Sequence, residues 1–165
     1  MVNTRTPYSA KTAAYLRRET AISAGINCIL TLVFFLLVFG MAPVVPVWGV
    51  GAYVFDFLPQ GFMVAFMGTL VPSLLTRKAM RQGKLVGIEG PGRPWLPSLL
   101  VMRAVLLGLI GAAIGTAAAA AILGATGATL LPWALALAAK LVFAAALAGT
   151  VTPLALRATL AEVPA

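Results

Sequence analysis

Residues Leu131 to Leu156 read LPWALALAAKLVFAAALAGTVTPLAL, an apolar stretch whose one charged residue, Lys140, lies well inside it. A helix needs about 20 such residues to cross roughly 30 Å of hydrocarbon. Three further stretches qualify, at about Ala21–Met41, Phe55–Leu75 and Leu96–Leu123. They must be helices, because an open sheet leaves backbone groups unpaired in lipid and these runs lack the alternation of a barrel strand.

Composition agrees. The chain has 165 residues, 61% of them hydrophobic and 10% charged, where a soluble domain carries about 25% charge. No window remains for a soluble domain. Residues 1–165 therefore read as one four-helix transmembrane domain, with a basic leader at 1–20 and a basic loop at 76–95. Gly40-Met41-Ala42 loosely fits a signal-peptide cleavage site, but the apolar run before it exceeds the usual 7 to 15 residues. The first stretch reads as a span.

The charges orient the bundle. Arg5, Lys11, Arg17 and Arg18 precede the first span; Arg77, Lys78, Arg81, Lys84 and Arg93 fill the second connection; Arg157 closes the fourth span. The connections at 42–54 and 124–130 hold no Lys or Arg. Basic loops stay in the cytoplasm. The sequence thus predicts an all-α, polytopic membrane protein of two helical hairpins with both termini cytoplasmic, placed in the bacterial inner membrane. The formal charge of +8 is absorbed by topology and by contact with anionic lipid on that side, leaving nothing that points to nucleic acid.

Other features follow from helix geometry. Thr6-Pro7 can start a helix through Glu19 that lies on the leaflet. Pro43 to Gly51 reads as a short interfacial cap. Trp48, Tyr53, Trp95 and Trp133 sit near span ends, as interfacial anchors do. Small residues form close-packing faces: Gly108, Gly111, Gly115 and Ala119 on the third span, and Ala134, Ala138, Ala145 and Gly149 on the fourth. The second and fourth spans both open Leu-Pro (Leu58-Pro59, Leu131-Pro132) and close on Pro72 and Pro153, the mark a duplicated hairpin would leave. Gly83-Lys84 fails as a phosphate loop, with Leu85 and Lys78 at the places that require Ser or Thr and Gly.

Chemistry has few carriers. The chain has no histidine and one cysteine, Cys28, so zinc, haem, iron–sulfur and triad chemistry lack their groups. No catalytic residue, metal or cofactor is expected, and the chain reads as non-enzymatic. Lys140 is the exception to be explained, since an intramembrane charge marks a functional site by default. Its side chain leans toward the helix N-terminus and the outer face. Asp56 and Gln60 at the mouth of the second span, with Asn27 somewhat deeper, complete a candidate intramembrane polar site. Arg103 is expected to snorkel to the cytoplasmic interface. There it would form a charge cluster with Glu19 and Arg157. These features suggest a small permease-like transporter or channel component with an intramembrane lysine site; the alternative is an accessory or assembly subunit that docks onto a larger membrane complex. A homo-oligomer or a larger membrane partner is expected. Lipid handling is a third reading.

Overall fold

A computed structural model describes residues 10–87 and 96–161. Readings that involve Arg5, Thr6-Pro7, Arg93 and Trp95 lie outside those residues. The regular elements of the described chain are four helices and two three-residue strands: α1 (Ala10–Phe39), β1 (Val44–Pro46), α2 (Phe57–Arg81), α3 (Leu100–Thr126), β2 (Leu130–Pro132) and α4 (Trp133–Ala161). All four helices are long and apolar enough to cross a membrane. At 1.5 Å per residue the shortest extends about 37 Å, more than the hydrocarbon thickness.

Local chemistry sets the helix ends. Gly40 follows α1 at φ +58° and Gly127 follows α3 at φ +64°, a left-handed turn that closes a helix cheaply only at glycine. The Gly40 N–H donates to Leu36 O at 2.9 Å, and the Ala128 N–H to Leu123 O at 3.2 Å. Each turn leads into a strand, and β1 and β2 pair antiparallel with Val45 opposite Leu131. This places the openings of α2 and α4 side by side at one end, the strand end. At the other end the Tyr15 and Thr76 hydroxyls lie 3.1 Å apart, joining α1 to α2.

The described part of the leader is not a separate helix. Residues 10–20 continue α1 without a break, because buried Leu16 packs with Leu156 and Leu160 of α4. The helix α2 likewise runs on past Leu75, carrying Arg77, Lys78 and Arg81 on helical turns.

Packing joins α1 to α4, α4 to α2 and α2 to α3, while α1 touches α2 and α3 touches α4 only slightly. Exchanging α1 with α3, β1 with β2 and α2 with α4 leaves this pattern unchanged. The sequence follows it: Phe62, Gly68, Thr69 and Pro72 of α2 match Phe143, Gly149, Thr150 and Pro153 of α4 at one constant offset. The strands correct the proline pairing made from sequence. Under the exchange, Pro46 corresponds to Pro132, so Pro59 does not. Between β1 and α2 the first half carries the segment 47–56, whereas β2 runs directly into α4.

Among the described glycines, the close backbone-to-backbone approach lies at the seam of α2 and α3. A Cβ placed on Gly61 would lie 2.6 Å from Gly111 O, and one on Gly111 would lie 2.7 Å from Gly61 O. Backbones that near require glycine on both sides, the means by which helices associate without a hydrophobic drive in lipid. The small face of α3 is used as expected: Gly108, Gly111, Gly115 and Ala119 are all buried. That of α4 is not. Ala134 and Ala138 are exposed, and the buried row runs through Ala136, Lys140, Ala144 and Ala148. An alanine-rich helix offers small residues on every side, so spacing alone does not select the packed one.

Candidate functional site

Lys140 belongs to the buried row of α4, with its stem directed toward the strand end. Its Nζ donates to Asp56 Oδ2 at 2.9 Å. The lysine side chain is 1% exposed and that of Asp56 20%. Two rings cover the ammonium: Phe57, with its centroid at 3.7 Å, and Tyr53, at 5.0 Å. A ring face carries the negative part of the aromatic quadrupole, so both contacts favour the cation. Asp56 stands at the N-cap of α2 but makes no side-chain capping bond there. One of its carboxylate oxygens accepts from Lys140 instead.

Gln60, one turn into α2, ties this pair to α1. Its Nε2 donates to Lys140 O at 3.3 Å and to Thr31 Oγ1 at 3.2 Å. The backbone carbonyl can only accept, which fixes the amide orientation. The Gln60 Oε1 is then buried with no hydrogen-bond partner among the described residues. Two turns deeper than Phe35, Asn27 donates from Nδ2 to Ser23 O at 2.8 Å. All four residues of the polar site read from sequence line one cavity of about 460 Å³ between α1 and α2, with Thr31 among them. The slight contact between those helices leaves this space, and Leu30, Phe34, Pro59, Met63 and Met67 form its apolar walls.

Below the cavity, Pro72 lacks the N–H that would bond Gly68 O. The Thr152 hydroxyl donates to that carbonyl at 3.1 Å. The same hydroxyl is within donating distance of Ser23 Oγ, at 2.9 Å, so its one proton is shared between α1 and α2. A proline break in α2 is thereby satisfied from α4, which holds the cavity floor in place.

Sequence reasoning misplaced two residues. Tyr53 is not an interfacial anchor: it is 2% exposed, and its hydroxyl donates to Ala136 O at 2.9 Å. Burial, with a smaller contribution from the Asp56 charge, pushes its phenol above the ordinary tyrosine range. Arg103 does not snorkel to a headgroup. It is 1% exposed; Nε and Nη2 both donate to Pro97 O, at 3.1 and 3.0 Å, and Nη1 donates to Thr159 Oγ1 at 3.4 Å. The side chain leans toward the helix N-terminus as expected, but α4 and the Pro97 turn receive it there. Arg157 is exposed and lines a groove with Arg17 between α1 and α4. The two tryptophans described here act as ties, Trp48 Nε1 donating to Ala128 O at 2.9 Å and Trp133 Nε1 to Gly40 O at 2.8 Å. Sequence reasoning missed the cover over Lys140. The available signal was two aromatics, Tyr53 and Phe57, flanking the acid most accessible to it.

Searches against protein-family models, curated proteins and solved structures find no match to this chain. No group of three or more His, Cys, Asp or Glu suited to a metal occurs among the described residues.

Proposed function

We propose that this chain is a non-enzymatic, permease-like protein of the bacterial inner membrane whose ligand site is the cleft between α1 and α2. The observation that carries this reading is the cavity itself: apolar walls between two barely touching helices, backed by the Lys140–Asp56 pair and the unpartnered Gln60 oxygen. A volume of about 460 Å³ lies within the range of small-molecule sites, which combine apolar linings with a few convergent polar groups. Orientation follows from charge. Arg17, Arg18, Lys78, Arg81 and Arg157 belong to the end opposite the strands, so that end faces the cytoplasm and its anionic lipid, with both termini there. Reporter fusions at Gly51, Lys84 and Gly127 test this and should read outside, inside, outside.

Filling the cleft tests the site. Met63→Trp places a large ring between α1 and α2, and Leu109→Trp places one on the exposed side of α3. Small molecules that co-purify with the wild type, identified by mass spectrometry, should be lost from the first variant and kept by the second. Equal retention by both would refute the cleft as the site. Loss of a stoichiometric protein partner from Met63→Trp would instead establish the accessory-subunit reading.

A further inference from the structure

The cleft reading leaves the ligand's chemistry open, and the polar atoms on its back wall narrow it. We infer that the cleft takes an uncharged amphipath, a long-chain or polycyclic alcohol, with its hydroxyl head at Asp56 and Gln60 and its apolar body between α1 and α2. The inference rests on the cleft being the ligand site and adds the class of ligand.

An anionic head has no partner there. The Lys140 ammonium is bonded to Asp56 at 2.9 Å, covered by Phe57 and Tyr53, and 1% exposed. An anion entering the cleft meets the more accessible carboxylate first. A cationic head fares no better. Asp56 and Lys140 are the two ionisable residues of the cavity lining, and together they are neutral. A second cation would share one carboxylate with Lys140 and bury a charge without a counter-charge, which is costly at low dielectric.

What the wall does offer is acceptors. Among the described residues, one oxygen of Asp56 is engaged, by Lys140. The Gln60 Oε1 is unpartnered because its amide nitrogen is committed to Lys140 O and Thr31. Asn27, deeper in the cleft, donates its amide nitrogen to Ser23 O. Buried acceptors call for donors. A hydroxyl supplies one without bringing charge. The body has apolar cover from Leu30 to Val38 on α1 and from Pro59 to Met67 on α2, each about 12 Å of helix.

Three probes with one chain and different heads test this: 1-hexadecanol, hexadecylammonium and palmitate. Each competes at neutral pH with a diazirine-bearing hexadecanol on the full-length protein in nanodiscs, with crosslinks mapped by mass spectrometry. Crosslinks should fall on Leu30, Phe34 or Met63, and hexadecanol should displace the probe at a concentration at least about tenfold below either ion, the worth of one good hydrogen bond. Gln60→Met should remove most of that preference while the crosslinks stay in the cleft. Equal or tighter competition by palmitate or hexadecylammonium overturns the alcohol assignment and leaves the cleft standing. Crosslinks spread over lipid-facing α3 and absent from the cleft overturn both.

Discussion

Removing the two members of the Lys140–Asp56 pair one at a time should cost unequally, and removing both should cost little. Asp56→Leu leaves an ammonium that is 1% exposed, with aromatic faces and no counter-charge. An uncompensated buried charge of this kind costs about 3–5 kcal/mol. The residual cation–π attraction, about 0.5–2 kcal/mol, is already present in the wild type and does not offset it. No helix cap is lost, because Asp56 makes none through its side chain. Lys140→Met leaves a carboxylate that is 20% exposed and can recruit water, so its cost is smaller, about 1–2 kcal/mol. The methionine also restores contact with Phe57 and Tyr53 through its sulfur. In the double variant no charge remains, and apolar replacement of a buried pair is often neutral or stabilising. The coupling in the double-mutant cycle should therefore reach at least about 3 kcal/mol. Reversible unfolding in mixed micelles, followed by circular dichroism, measures it. Additive single effects, or a Lys140→Met more damaging than Asp56→Leu, would refute the account of an enclosed lysine neutralised by an accessible acid.

Other outcomes follow from single contacts. Arg103→Lys should destabilise by about 1–3 kcal/mol, because a lysine cannot reproduce the fork onto Pro97 O and Thr159; unchanged unfolding would restore the snorkelling view. Gly61→Ala should cost about 1–3 kcal/mol by forcing α2 from α3, while Gly25→Ala, with nothing within 4 Å, should be neutral or slightly stabilising in the same assay. Burial raises the Tyr53 phenol, so the folded protein keeps that proton where the unfolded chain loses it. The stability this adds is complete below the ordinary tyrosine value of about 10 and is lost as pH rises beyond it. At about pH 11, phenolate absorbance of the folded wild type should match that of Tyr53→Phe; a larger signal from the wild type would show Tyr53 to be titrating normally.

Hydrophobic run length was enough to find four helices long and apolar enough to span a membrane, since the bilayer sets the length of any helix that crosses it and charge is too costly to scatter inside. The lean of a lysine side chain toward its helix N-terminus was enough to bring Lys140 toward Asp56 and Gln60, because that lean is a property of the helix. The packed partners were not legible. Alanine covers every side of α4, and only the three-dimensional arrangement set Lys140, Ala144 and Ala148 inward and Ala134 and Ala138 outward. The segment 47–56 gave no helical or strand period from which to place Tyr53, and its fold over the bundle end depends on β1 pairing with a strand far along the chain. Arg103 shows the same division: its direction is local, but whether lipid headgroup or protein receives the guanidinium depends on where α4 lies. The sequence by itself determined what crosses the membrane, because solvent and helix geometry act on each residue locally. Tertiary structure decided which faces meet, and so the existence of the cleft, because small apolar residues fit equally well against lipid and against one another.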